Sequence, residues 1–247
     1  MKLLLIGVGN MGEAMLHGLQ KHDICVVVRN EKKSKVLEKK FPKVEVVNSI
    51  PSLDGYIVIL AIKPNALDAL FVQGKAQGLI SVLAGVSIDK LKEKIDAHSY
   101  VRAMPNMAAQ VQESATSMCG DKKLKDVSIE ILNSIGECFW LNSEDELDIA
   151  TGLAGSAPAW LALVAEGLSD GAVNMGLKRD ITYKFIAKLF QGTGKVLEQE
   201  HPAILKDKVT SPKGTTIAGI KKLEEAKVRD AFMNAIEASY ERAKGLR

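Results

Sequence analysis

The chain has 247 residues, enough to bury a sizeable core in one large domain or two modest ones. Its 33 basic residues against 30 acidic ones, well interspersed, leave a formal net charge of +3 and give no argument for a nucleic-acid partner. Three scattered cysteines in apolar sequence (Cys25, Cys119, Cys138) read as reduced core thiols of a cytoplasmic protein, and the four histidines lack metal-ligand spacing, so no metal site is expected. No apolar run approaches the roughly 20 residues of a membrane span, and the N-terminus lacks a signal-peptide pattern, so no membrane role is expected.

The first apolar run, Leu3 to Ile6, shows no polar alternation and predicts a strand buried on both faces. It leads into Gly7, Gly9 and Gly12, a G-x-G-x-x-G opening a helix expected over Glu13 to Leu19. Strand, glycine turn and helix is the context that a dinucleotide site requires. In that setting Gly7 makes the tight turn, Gly9 lets backbone approach a pyrophosphate, and Gly12 lets the helix sit close on the strand. The helix start offers unpaired N–H groups to the phosphates.

A second buried strand, Ile24 to Val28, ends at Arg29 and Asn30. An acid at this place would accept a hydrogen bond from the adenosine ribose 2′-hydroxyl; Arg29 stands there instead, 22 positions after Gly7. A guanidinium suits a 2′-phosphate, so NADPH is favoured over NADH. The remaining basic cluster, Lys32, Lys33, Lys35, Lys39 and Lys40 with Glu31 and Glu38 among them, reads mainly as the solvated face of a helix over Glu31 to Lys40.

A short strand, Val44 to Val47, and a fourth, Tyr56 to Ala61, precede Ile62-Lys63-Pro64 and a helix expected over Asn65 to Phe71. Lys63 and the backbone around it, Pro64 included, stand at a strand's carboxyl end, where ligands sit in an open parallel sheet. Lys63 reads equally well as a loop lysine before a helix-starting proline. Further strands follow at Leu79 to Leu83, Ser99 to Ala103, Ala115 to Cys119 and Glu137 to Leu141. Between them come helices at Ile88 to Asp96, with Ser87 as N-cap, and at Asp121 to Ile135. The bend Met104-Pro105-Asn106 again falls at a strand's carboxyl end and makes Asn106 a candidate cofactor contact. This alternation predicts a doubly wound α/β domain over residues 1–142.

From Ser143 the pattern turns helical, predicting an all-α domain over residues 143–247 with helices at Leu147 to Leu153, Pro158 to Met175, Asp180 to Leu197, His201 to Val209 and Thr216 to Ala243. Small residues crowd Gly152, Ala154, Gly155, Ser156, Ala157 and Ala159. A helical glycine costs about 1 kcal/mol against alanine, so close backbone approach to a ligand or to another helix is expected here. So much apolar helix face in about a hundred residues points to a homodimer. The loop Val209 to Thr216 carries four hydroxyls, Thr210, Ser211, Thr215 and Thr216, where one N-cap needs one. A nest for an anion such as a carboxylate is the reading preferred over ordinary capping.

The blocks IGVGNMGEAM from Ile6, AIKPN from Ala61, VRAMPNMAAQVQESAT from Val101, TGLAGSAPAW from Thr151 and EHPAILKDKVTSPKGTTIAGI from Glu200 resemble the pyrroline-5-carboxylate reductase family across essentially the whole chain. The resemblance implies an N-terminal Rossmann-like sheet and a helical dimerisation domain interlocking in an obligate dimer, with a larger ring as a further stage of assembly. It also implies reduction of 1-pyrroline-5-carboxylate to L-proline with NADPH or NADH, the last step of proline biosynthesis. Carried over by position, Gly7, Val8, Gly9, Asn10, Met11 and Gly12 form the pyrophosphate loop, and Arg29 and Asn30 the adenosine-end contact. Asn48, Ile62, Lys63 and Ala84 are nucleotide contacts along the top of the sheet, and Glu144 is a substrate-side acid. Ser211, Gly214, Thr215 and Thr216 match the loop that binds the substrate carboxylate and ring.

Three positions depart from the family pattern: Ala157 replaces a common glycine, Trp160 a usual tyrosine, and Lys213 a loop glycine. Lys213 is strained if its place requires positive φ, and otherwise adds a charge near a carboxylate. The expected chemistry is hydride transfer from the nicotinamide to C5 of the imine, with Ser211 and Thr216 as catalytic candidates and Thr216 on the ring nitrogen. Thr216 or a water donates the proton. Two rivals are a related dehydrogenase acting on another imine or a hydroxy acid, and a nucleotide sensor without turnover. The first should present a catalytic lysine early in the helical domain, where the first lysine is Lys178 without a matching motif; the second has no use for the hydroxyl loop.

Overall fold

The computed structural model describes residues 2–245. Eight strands form one sheet in the order β3-β2-β1-β4-β5-β6-β7-β8: β1 (Lys2–Ile6), β2 (Asp23–Val27), β3 (Glu45–Val47), β4 (Tyr56–Leu60), β5 (Gly78–Ser81), β6 (Tyr100–Met104), β7 (Ser114–Gly120) and β8 (Gly136–Trp140). The first six follow the doubly wound order, with the chain reversing its direction of travel between β1 and β4. All neighbours are parallel except β6 and β7. Residues 105–113 are too short for a helical crossover, so β7 returns antiparallel.

The unbroken apolar run of β1 has a simple cause. Leu3 and Leu5 enter the core on one face of the sheet, Leu4 and Ile6 the core on the other, and each side chain is buried. β2 divides its side chains in the same way, Ile24 and Val26 to one face and Cys25 and Val27 to the other. Helices α1 (Asn10–Leu19), α2 (Glu31–Lys40) and α4 (Lys122–Leu132) cover the first face, and α3 (Ile88–Lys94) the second. Each fully buried leucine contributes about 2–3 kcal/mol relative to an exposed one.

The remaining helices are α5 (Glu144–Ala150), α6 (Ala157–Asn174), α7 (Arg179–Leu197), α8 (Pro202–Lys208), α9 (Thr215–Glu225) and α10 (Val228–Lys244). Contacts divide the chain into two compact units, residues 1–156 with 236–247, and residues 157–235. α5 lies in the first unit because Glu144 and Asp148 pair with Arg102 of β6. The end of α10 lies there too, with Ser239 Cβ only 3.2 Å from where a Cβ on Gly152 would stand. Close approach of another helix therefore accounts for one of the clustered small residues.

Four expectations need correction. α1 begins at Asn10 rather than Glu13, so Asn10, Met11 and Gly12 form its first turn. The helix expected over Asn65 to Phe71 is only a 3₁₀ turn, Pro64–Ala66. Its continuation bonds Leu67 N to Pro64 O and Leu70 N to Leu67 O, a three-residue repeat that turns both leucines inward. The long helix expected over Thr216 to Ala243 is two, because Lys227 takes φ +54° and ends α9. Helical backbone also runs unbroken for 31 residues from Glu144 to Asn174, through a π-helical stretch at Thr151–Ser156, with mean hydropathy 1.4 over its most apolar window. By length and composition alone that helix could span a membrane; the sequence conceals it because Ser, Thr and Gly interrupt the apolar run.

Candidate active site

The carboxyl ends of β1, β2 and β4 open into a cleft of about 350 Å³, the place where a doubly wound sheet binds ligands. Of the residues expected at the nucleotide, Gly7, Val8, Arg29, Asn30 and Ile62 line it. Gly7 has φ +103°, and a Cβ there would stand 2.6 Å from the Ala61 carbonyl carbon. A Cβ on Gly12 would stand 2.2 Å from Gly7 O, so the helix packs on the glycine turn itself. Nothing lies within 4 Å of where a Cβ on Gly9 would be, which leaves that backbone open to an approaching group. Gly9 is the N-cap of α1 and supplies no side-chain cap, so the first-turn N–H groups keep their capacity for a ligand.

The other expected nucleotide contacts lie outside the lining of this cleft. Asn10 lines a shallow cleft with Glu13, His17, Lys40 and Met107, where the Lys40 ammonium holds the Glu13 carboxyl below its usual range. Asn48 is exposed and accepts from Ser34 Oγ at 3.1 Å. Lys63 is exposed and precedes the Pro64 turn. Asn106 is buried, and its amide is spent internally: Nδ2 donates to Ala154 O at 3.0 Å and Oδ1 accepts from Ala108 N at 2.9 Å. Ala84 lines a second cavity of about 300 Å³ with Arg102, Met104, Asp148, Ser239 and Arg242.

That second cavity is built on a buried ionic group absent from the sequence reading. Arg102 is 1% exposed; its Nη1 donates to Glu144 Oε1 at 2.7 Å, and its Nη2 stands 3.6 Å from Asp148 Oδ1, itself 2% exposed. Glu144 Oε1 also accepts from Ile88 N at 3.1 Å, alongside the Ser87 cap on Lys90 N. Glu144 thus ties the first turn of α5 to the first turn of α3 and steadies the turn that carries Ala84. The signal was an arginine inside the apolar strand Tyr100 to Met104, a position that demands carboxylate partners.

A second residue that sequence reading passed over is Lys33. In the first turn of α2, it lines the nucleotide cleft and its Nζ donates to Val8 O. Four positions after Arg29, on the helix face turned toward the glycine loop, it is not part of the solvated face.

In the other unit, the hydroxyl loop opens α9. Gly214 is the N-cap with no side-chain cap, so by helix geometry the N–H groups of Thr215, Thr216 and Ile217 point outward without an intrahelical partner. The Gly214 N–H itself donates to Ser211 O at 3.0 Å. Thr210 Oγ1 is spent on Lys206 O at 2.6 Å, leaving the hydroxyls of Ser211, Thr215 and Thr216 for other work. Ser211 Oγ would stand 2.3 Å from a Cβ on Gly214, so only glycine lets that hydroxyl fold against the helix start. Lys213 takes φ +57°, the strained conformation its departure from glycine raised as a condition.

Three comparisons bear on this geometry. Residues 144–246 match a family model described as pyrroline-5-carboxylate reductase dimerisation, and residues 2–85 one described as NADP oxidoreductase coenzyme F420-dependent. The pyrroline-5-carboxylate reductase of Thermus thermophilus is 34% identical over 98% of this chain and 97% of its own length. Among solved structures, the 1-pyrroline-5-carboxylate reductase of Streptococcus pyogenes superposes with TM-score 0.85 at 28% identity, covering 99% of this chain and 98% of that one. The Plasmodium falciparum pyrroline carboxylate reductase, solved with NADP bound, gives TM-score 0.79 at 26% identity over 100% and 99% of the two chains. With a relative this similar along its full length, the chain belongs to the pyrroline-5-carboxylate reductase family.

Proposed function

We propose that this chain reduces 1-pyrroline-5-carboxylate to L-proline, taking hydride from a reduced nicotinamide nucleotide, with NADPH ahead of NADH. The observation that carries the reading is the start of α9, where helix N–H groups without an intrahelical partner stand beside the hydroxyl-bearing Ser211, Thr215 and Thr216 in a member of this family. A small carboxylate bound there is held by the same groups that would otherwise need a cap.

The sheet unit fits a dinucleotide on its own geometry: open backbone at Gly9, an uncapped α1 start, and a cleft whose charged lining residues are Arg29 and Lys33. Gly7 to Gly12 would hold the pyrophosphate, Arg29 the adenosine end, and the Ala84 turn the nicotinamide end. When bound, the cofactor supplies the hydride at the nicotinamide C4. The N–H groups of Thr215 and Thr216 with the Ser211 hydroxyl hold the substrate carboxylate. Thr216 Oγ1 bonds the ring nitrogen and fixes which face of the imine is presented. A threonine hydroxyl is a weak acid, so its part is to orient the nitrogen while the proton comes from solvent. Holding the two rings at attack distance supplies roughly 7–11 kcal/mol of barrier reduction.

The assembly is a homodimer. α6 and α7 expose Leu161, Leu163, Phe185 and Leu189, each more than half accessible, and a second copy covers such a face without a membrane. That surface calls for one partner and lends no support to a larger ring. The working compartment is the cytoplasm, where Cys25, Cys119 and Cys138 stay as thiols.

The test compares the parent with Ser211→Ala and Thr216→Ala in pyrroline-5-carboxylate-dependent NADPH oxidation. Each variant loses one hydrogen bond to an anionic or cationic group, about 1.5–3 kcal/mol, or roughly 10–150-fold in kcat/KM. NADPH affinity stays at the parental value. Variants that turn over like the parent would overturn the site assignment.

A further inference from the structure

The nucleotide cleft holds a second cation, Lys33, which the sequence pattern assigns to the solvated face of α2. Lys33 occupies the first turn of α2, half-buried, and its side chain crosses to the glycine loop to donate to Val8 O. Holding a lysine still costs up to roughly 2 kcal/mol of rotamer freedom, and a single hydrogen bond offsets only part of that. An ammonium has three donors, so two remain for another acceptor. Arg29, two residues beyond β2, lines the same cleft, and no carboxylate stands among the described residues lining it. The rest of the lining is largely apolar, from Ile6, Val27, Ile50 and Leu70.

A site with two positive charges, no carboxylate in its lining and an apolar floor selects a dianion carried on a flat apolar group. The pyrophosphate has another partner in the uncapped start of α1. We infer that Lys33 is a specificity-determining residue that, with Arg29, binds the 2′-phosphate of a phosphorylated adenosine and so sets the preference for NADPH over NADH. The inference rests on the nucleotide reading above and deepens it. The two residues divide the work by chemistry: Arg29 offers a planar pair of donors, and Lys33 a compact charge already tethered to the glycine loop. Phosphate recognition is thereby tied to the position of the loop that receives the pyrophosphate.

The experiment titrates the full-length protein with NADPH, NADH, 2′-AMP and 5′-AMP, for the parent and for Lys33→Met and Lys33→Arg. Lys33→Met should weaken NADPH and 2′-AMP about tenfold or more and move NADH and 5′-AMP less than twofold. Lys33→Arg should recover most of the NADPH affinity, because the charge returns. Equal losses for NADPH and NADH would place Lys33 at the pyrophosphate and overturn the inference, as would unchanged affinities for all four. A parent that binds none of the four would overturn the nucleotide reading itself, and this inference with it. Because binding rather than turnover is read, the result is independent of the imine substrate.

Discussion

Replacing Arg102 by methionine should lower the melting temperature by about 6–20 °C. The guanidinium is 1% exposed and faces Glu144 Oε1 at 2.7 Å and Asp148 Oδ1 at 3.6 Å. Methionine fills much of the same volume, so the cavity term is small and the loss is chiefly electrostatic: two carboxylates are left in a site where Asp148 is 2% exposed. Breaking a buried pair from one side costs about 3–5 kcal/mol, and 1 kcal/mol shifts the melting point of a chain this long by about 2–4 °C. An electrostatic origin of the loss has a second consequence. Combining Arg102→Met with Glu144→Gln and Asp148→Asn removes both carboxylate charges that faced Arg102 and should restore at least half of the loss, because neutral side chains cost far less to bury. Glutamine at 144 can still accept from Ile88 N, so the tie to α3 survives. Differential scanning fluorimetry of the parent, the single variant and the triple variant decides the matter. A single variant within about 2 °C of the parent would refute the buried-pair argument. A triple variant as unstable as the single one would show that lost packing, not charge, is responsible.

Gly12→Ala puts a methyl 2.2 Å from Gly7 O, so helix and turn must separate. The expected cost is about 1–3 kcal/mol by thermal melting, with NADPH affinity reduced at least tenfold by titration. Lys213→Gly relieves a residue held at φ +57° and should raise stability in urea denaturation by about 1 kcal/mol; a less stable variant would contradict the strain assigned there. Burial pushes the Cys25 thiol from 9.0 up to about 11, so between those values the folded chain keeps a proton that the unfolded chain has released. The stabilisation is therefore fully present below about pH 9 and is lost as pH rises toward 11. Urea unfolding across that range should show a shallower alkaline decline for Cys25→Ala than for the parent, and thiol labelling at neutral pH should be slow.

What could be read from the sequence was whatever local chemistry determines. An unbroken apolar run means two buried faces, and a glycine pattern between strand and helix means a turn that backbone alone can fill; β1, Gly7 and Gly12 behave accordingly. Ser87 caps α3 because an N-cap is decided by neighbours three residues apart. The misreadings have the opposite origin. Leu67 and Leu70 satisfy a helical pattern and a 3₁₀ repeat equally, and the core beneath them chooses the latter. The break at Lys227 depends on a backbone conformation that carries no residue signature when lysine occupies it. At the site, the hydroxyl loop was visible as composition, whereas the spending of Thr210 on Lys206 O and of Asn106 on Ala154 O is a matter of distance in space. Lys33 and Arg102 were hidden for the same reason, since their partners lie 25, 42 and 46 positions away in the chain.

The most direct test of the central claim is to incubate the purified full-length protein with 1-pyrroline-5-carboxylate and NADPH, following nicotinamide absorbance and resolving the product on a chiral column. The expected result is loss of NADPH with equimolar formation of L-proline, slower when NADH replaces NADPH. NADPH binding without any loss of absorbance, or oxidation that yields no proline, would contradict it.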